Sequence, residues 1–269
     1  MGAAEQVWYF QFQNMARTAG LVQAVSGRLG GVSEGHLRSL NIGLTVGDRR
    51  EAVFANRRRL AMALAIPIER WVKPRMVHGS NCLVVGAAEA DLGLGLVDKS
   101  SLEADALLTA EPEVYLFLTV ADCVPVLLHD PVRGVVGLAH AGWKGTVAGV
   151  ARKAVAKAQA VFGSRPADVL VGIGPSIGPC CYVVGAVVAR AAARAFPGCK
   201  GLLHEKEGGR VHLDLWRANA YQLEEMGVPA ANIEIAGLCT ACRTDLFFSH
   251  RAEKGKTGRQ GAIIGLRRS

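Results

Sequence analysis

No stretch of this 269-residue chain reaches the roughly 18 uninterrupted apolar residues that a membrane helix requires, although half of its residues are hydrophobic. A membrane partner is therefore not expected. The start, MGAAEQVWYFQFQ, lacks the basic region and apolar run of a secretory leader, so a cytoplasmic protein is expected. Aromatic residues make up only 6% and are scattered, too few for a base-stacking platform. Tandem repeats, low-complexity tracts and linkers are also lacking, which points to one compact domain over residues 1–269. Nor is the cysteine count even. Seven cysteines without an export signal read as thiols or metal ligands rather than a disulfide framework.

Positive charge is in excess: the formal net charge is +8 and the pI near 9.3, a balance that suits an anionic ligand such as phosphate. The cations are nevertheless dispersed. Arg57, Arg58 and Arg59 fall on one expected helix, and Lys254, Lys256, Arg259, Arg267 and Arg268 lie near the C-terminus. They read as a solvated surface rather than a nucleic-acid footprint, and no nucleic-acid partner is expected.

The middle of the chain carries short apolar runs, NCLVVG, EVYLFLTV, VPVLLHD and GVVGLAH, with turn residues between them. They do not alternate strictly between apolar and polar, which implies strands covered on both faces. Helices are expected from about Arg50 to Ala65, over TVAGVARKAVAKAQAVF with Thr146 as N-cap and Gly163 as stop, over GAVVARAAARAF, and over DLWRANAYQLEEMG with Asp214 as cap. Helices and strands without regular βαβ alternation indicate an α+β fold, layered around mixed sheets.

Three residues stand where a plain core would place aliphatics. Cys123 closes LTVADC, His140 closes VVGLAH, and His78 follows an apolar residue in PRMVHGSN and precedes a glycine. A His2Cys set suits zinc and leaves a fourth position open, as in catalytic sites. Spacing alone does not establish their convergence. Cys239 and Cys242 form a CxxC with no second CxxC or HxxxH to complete it, and adjacent Cys180 and Cys181 read as packing, so a closed structural zinc site is not expected. GIGPSIGP lacks both the Lys-Ser/Thr ending of a P-loop and G-x-G-x-x-G spacing; it reads as a tight strand exit.

The blocks GRLGGVSEGHLRSLNIGLTVGD, VHGSN, ADALLTAEPEVYLFLTVADCVPVLLHDP, AHAGWKGTVAGV, GIGPSIGPCCYVVG and CTACRTDLFFSHR resemble, in order, those of the laccase-domain or peptidoglycan-editing-factor family. The resemblance spans about Ser26 to Arg251. It implies an α/β/β/α-like sandwich, a zinc ion held by His78, Cys123 and His140 in a surface cleft, and phosphorolysis of purine nucleosides (adenosine, inosine, guanosine, methylthioadenosine) with adenosine deamination as a second activity. The older label of the family, a copper-dependent polyphenol oxidase, gives copper as the alternative metal. Two positions depart from the family pattern: Met76 stands where glutamine is usual, and His250 where tyrosine is usual.

Phosphorolysis requires an anion held beside the sugar and stabilisation of the leaving base. Arg28, Lys144 and Arg251 are the cations in matching blocks, each reading equally well as an ion-pair partner, and Ser39 and Asn41 are candidate contacts to base or ribose. Asp122 is the carboxylate nearest to Cys123, either a proton shuttle or a group that orients the site. A metal-free alternative makes Cys123 a nucleophile activated by His140. The expected partners are purine nucleosides and inorganic phosphate; the oligomeric state is not fixed by the sequence.

Overall fold

The computed structural model describes residues 6–90, 102–206 and 208–268; the first five residues of the segment read for a leader lie outside them. In chain order the strands are β1 (Tyr9–Phe10), β2 (Leu21–Ser26), β3 (Trp71–Val72), β4 (Cys82–Val84), β5 (Ala106–Thr109), β6 (Tyr115–Val120), β7 (Val124–Asp130), β8 (Val135–Ala141), β9 (Leu170–Ile173), β10 (Leu203–Lys206), β11 (Arg210–Leu213), β12 (Ile233–Ile235) and β13 (Gln260–Leu266). The α-helices are α1 (Arg50–Ala63), α2 (Trp143–Val147), α3 (Val150–Phe162), α4 (Ala186–Ala195) and α5 (Leu215–Glu224). One sheet has the order β1-β2-β13-β6-β3, a second β12-β9-β7-β8-β5-β4, and β10-β11 form a separate hairpin. Both large sheets are mixed: β3–β6, β4–β5 and β9–β12 pair parallel, and the remaining pairs are antiparallel.

The missing polar alternation has a plain cause. Successive side chains of a strand point to opposite faces, and here both faces are apolar. Leu116 and Leu118 of β6 join Leu127 of β7 and Val136 and Leu138 of β8 in a core between the two sheets. Their neighbours Tyr115 and Phe117 turn outward onto Leu60 and Leu64 of the α1 segment. On the far side, Val126, Leu128, Ala139 and Ala141 pack against Ala151, Ala154 and Val155 of α3 and Leu223 of α5. The order of layers is helix, sheet, sheet, helices: the α+β sandwich expected.

Two local expectations are corrected. The helix starting near Thr146 is broken: α2 ends at Val147, Gly149 adopts φ 77°, and α3 begins at Val150. Thr146 lies inside α2 with its hydroxyl donating to the carbonyl of Ala141, so it is no N-cap. Gly163, at φ 67°, does terminate α3, and Asp214 caps α5 by accepting from the Arg217 amide at 2.9 Å. Arg57 is not part of a solvated surface. It is buried, donates to the carbonyl of Ile42 at 3.0 Å, and its guanidinium lies 5.3 Å from the ring centroid of Phe117.

Candidate active site

β6 belongs to one sheet and β7 to the other, so Ala121, Asp122 and Cys123 carry the chain across the seam between them. Asp122 adopts φ 81° there, a left-handed conformation that Asp tolerates better than most residues. The conformation is held from three sides. The Asp122 carbonyl accepts from the Ile177 amide (3.0 Å), Oδ1 accepts from the Thr240 hydroxyl (2.6 Å), and Oδ2 accepts from the Arg251 amide (2.6 Å). Cys123 thus sits at the end of a crossing turn rather than at the end of a strand.

On β8 the alternation puts His140 on the face of Val136 and Leu138, looking into the gap between the sheets. His140 pairs in register with Pro125, which brings it beside Cys123. His78 comes from a bend ahead of β4 with φ 58°. That bend is organised by Asp105, a fully buried carboxylate just before β5. Its oxygens accept from the amides of Val77 (3.2 Å), His78 (3.0 Å) and Gly79 (2.6 Å), and Oδ1 also accepts from Nδ1 of His140 at 2.9 Å. One carboxylate therefore aims both histidines and leaves Nε2 of His140 for the cleft.

The ligand atoms of His78, Cys123 and His140 lie within 4.8 Å of one another, and the two imidazole rings stand edge to face with centroids 4.9 Å apart. Ligands of a tetrahedral zinc are spaced by roughly 3.3–3.8 Å, so this set closes around an ion with small movements. A carboxylate on the far nitrogen of a ligating histidine is the usual support of such a site. Gly142 makes room: a Cβ there would sit 3.0 Å from the Cys123 sulfur. The donor set, its spacing and its support all fit a soft divalent ion.

The electrostatics agree. Burial alone pushes the Cys123 thiol up, but His140 and His78 outweigh it and bring it down to about 6. Burial pushes His140 down, yet Cys123 and Asp105 raise it to about 9. Between themselves the two side chains favour thiolate and imidazolium, and a cation bound here replaces the imidazolium proton. Burial raises Asp105, and the donors from His140, Gly79 and Val77 more than offset it, holding the carboxyl below the usual range.

The three residues line a cleft of about 610 Å³ together with Trp143, Tyr182, Arg251 and Arg259. Arg251 donates to the Val183 carbonyl at 2.9 Å and lies over the Tyr182 ring at 5.1 Å. Burial, with Cys123 next, raises Tyr182 to about 12, so its hydroxyl stays a neutral donor. Arg259 is held through the carbonyls of Thr257 (3.1 Å) and Gly258 (2.8 Å). Met76 and His250, the two departures from the family pattern, both line the cleft.

Of the residues expected to touch substrate, Arg251 lines the cleft, Arg28, Ser39 and Asn41 are engaged elsewhere, and Lys144 lies outside the lining. Arg28 pairs with Glu253 (3.1 Å), donates to the Thr244 carbonyl (2.7 Å) and stacks on Phe248. Ser39 donates to the Arg28 carbonyl, and buried Asn41 binds Asp48 and the Arg259 amide. Lys144 is exposed, 5.8 Å from the Trp143 ring centroid. Sequence reasoning missed Asp105, Tyr182 and Arg259 as site residues. The signals were weak: a carboxylate directly before the apolar run ALLT, and an arginine directly before the buried strand QGAIIGL. It also missed that Cys180 and Cys181 meet Cys239 and Cys242.

Fold and cleft together define an α+β enzyme with a cleft at the seam of two sheets. Residues 22–267 match the family described as multi-copper polyphenol oxidoreductase laccase, and the chain belongs to that family. It is 44% identical over 252 residues to the purine nucleoside phosphorylase YlmD of Geobacillus stearothermophilus, covering 93% of this chain and 91% of that protein. The crystal structure of YlmD from Geobacillus stearothermophilus superposes with a TM-score of 0.89 at 43% identity, covering 93% of each chain. A protein named adenosine deaminase RL5, from an unknown prokaryotic organism, is 34% identical over 215 residues, 80% of this chain and 82% of its own length. No described helix is long and apolar enough to cross a membrane.

Proposed function

We propose that this enzyme carries out zinc-dependent phosphorolysis of purine nucleosides, releasing the free base and ribose 1-phosphate, with adenosine deamination as a second activity in the same cleft. One observation carries the reading: the His78–Cys123–His140 set and two arginines, Arg251 and Arg259, line one cleft large enough for a nucleoside. The relatives named as phosphorylase and deaminase support it. The substrates are adenosine, inosine, guanosine or methylthioadenosine together with inorganic phosphate, and the single domain of residues 1–269 works in the cytoplasm, where its seven cysteines, none of them in a disulfide, stay reduced.

Phosphate attacks the anomeric carbon as the glycosidic bond breaks, so positive charge builds on the ribose and negative charge on the leaving purine. Arg251 and Arg259 supply the cationic wall that holds the attacking anion, a charge-assisted contact that also fixes its orientation. Tyr182 and Trp143 offer aromatic faces for the base, and the neutral Tyr182 hydroxyl a donor. When bound, the ion supplies Lewis-acid polarisation at the His78–Cys123–His140 wall. Asp105 fixes both histidines. Asp122 acts by positioning the Arg251 segment, since both of its oxygens already accept hydrogen bonds. We assign Arg28, Ser39 and Asn41 to the support of the neighbouring loop and give Lys144 no contact with substrate.

The test is phosphate dependence. Inosine or adenosine should yield free base and ribose 1-phosphate at a rate that rises with phosphate and saturates, while deamination does not rise with phosphate. Base release that proceeds equally well without phosphate would make the enzyme a hydrolase and sink the assignment.

A second reading has one observation behind it: the depressed Cys123 thiol beside His140 is also what a cysteine hydrolase uses. A metal-committed sulfur resists alkylation until a chelator is added, whereas fast alkylation of the loaded enzyme with matching loss of activity supports the hydrolase. Copper-dependent polyphenol oxidation is the weaker reading, because laccase chemistry draws on several coppers with histidine-rich donors, and the ligand atoms that converge in this cleft come from two histidines and one cysteine.

A further inference from the structure

Cys180 and Cys181 lie in a turn closed by the amides of Cys181 and Tyr182 on the Gly178 carbonyl, each at 3.0 Å. The turn removes the opposed geometry that adjacent residues have on a strand, so both thiols face the same side. Cys239 and Cys242 lie in a second turn, closed by the Arg243 amide on the Cys239 carbonyl at 3.0 Å. The two turns are locked together by backbone: Ser176 and Cys239 form a parallel bridge, with the Ser176 amide donating to Leu238 and the Thr240 amide to Ser176.

As a result four sulfurs gather within 4.8 Å of one another. Cys242 Sγ is 3.5 Å from that of Cys180 and 3.4 Å from that of Cys181. A tetrahedral zinc tetrathiolate, with bonds of about 2.3 Å, has sulfurs about 3.8 Å apart. Cys239 Sγ also accepts the Gly178 amide at 3.2 Å, a backbone contact that suits a thiolate. Burial works against ionisation of Cys239, and the amides of Gly178 and Cys242, together with the thiols of Cys180 and Cys242, more than compensate.

We propose that Cys180, Cys181, Cys239 and Cys242 form a second metal site, a closed tetrathiolate that holds one zinc ion and staples the two turns together. Four ligands leave no open position, so the site is structural. A disulfide between two of these residues would leave the other two sulfurs without a role, whereas an ion uses all four. The staple lies behind one wall of the cleft: the first turn leads to Tyr182 and the second to His250 and Arg251, all lining residues. The site is separate from the His78–Cys123–His140 set and stands or falls independently of the reaction catalysed.

Metal analysis of the purified chain, with Cys123→Ala and Cys242→Ser variants alongside, tests it. Wild type should hold two zinc ions, and each variant should lose one of them. Should Cys242→Ser fail to fold, cobalt(II) added to reduced, metal-stripped Cys123→Ala still decides. Sulfur-to-cobalt charge-transfer absorption with the intense visible bands of a tetrahedral site is expected, at the strength of four thiolates. Cys123→Ala protein that holds no zinc and gives no such absorption overturns the proposal. So does non-reducing mass spectrometry showing Cys180 or Cys181 joined to Cys242 in the freshly purified wild type.

Discussion

Asp105 is the residue on which the geometry of the cleft turns, because one buried carboxylate receives three consecutive amides and the His140 ring. Asp105→Asn keeps the shape, but its NH2 group cannot accept, so part of that set meets a donor with a donor. Loss of such a supporting partner typically weakens metal affinity by about 10–100-fold. Competition against a chromophoric chelator should show a loss in that range with the far-UV spectrum unchanged, and affinity equal to wild type would remove Asp105 from this role. His78, Cys123 and His140 were legible in the sequence because Cys123 and His140 each close an apolar run, His78 stands between an apolar residue and a glycine, and each falls in a family block. Asp105 was not. It lies 27 positions after His78 and 35 before His140, in a stretch that reads as an ordinary strand entry, and only the folded register of β5 against β8 brings it to them.

Among the elements, the crossing turn between β6 and β7 does most to shape the site. It presents Cys123 to the cleft and, through Asp122, ties down the segment that carries Arg251. Asp122→Ala would leave the Thr240 hydroxyl and the Arg251 amide without their acceptor. Hydrogen bonds to a charged group contribute about 1.5–3 kcal/mol, and an unfolding free energy lowered by about that much, read from denaturant titration, is expected. Arg251 would also lose its anchor, so KM for phosphate should rise more than kcat falls; a variant with unchanged KM would show that Arg251 needs no such anchor. Strands were readable as elements because apolar faces on both sides leave a continuous hydrophobic signal. The break between α2 and α3 was hidden because Thr146 has the chemistry of an N-cap, and only Gly149 in a left-handed conformation shows where the second helix starts. Arg57 was read as surface because charge is ordinarily solvated; the aromatic ring of Phe117 and the Ile42 carbonyl give it an interior place.

At the scale of the whole molecule, the cleft is a seam. His78 comes from the bend before β4, Cys123 from the crossing between sheets, and His140 from β8 of the second sheet, so an ion held by all three joins segments that the unfolded chain leaves far apart. A ligand that binds only the folded state stabilises it by RT ln(1 + [L]/Kd), about 4 kcal/mol at a thousand times Kd. For a chain of this size each kcal/mol moves the melting midpoint by about 2–4 °C, so removal of the ion should lower Tm by on the order of 10 °C. The four-cysteine cluster contributes its own share to any chelator effect. Cys123→Ala separates the two, because its residual chelator shift belongs to that cluster and the difference from wild type belongs to the seam. Differential scanning calorimetry of both proteins, with and without chelator, gives that difference directly. Equal shifts in the two proteins would mean that the seam holds no ion, and the His78–Cys123–His140 set would then have to act through the thiolate of Cys123 alone.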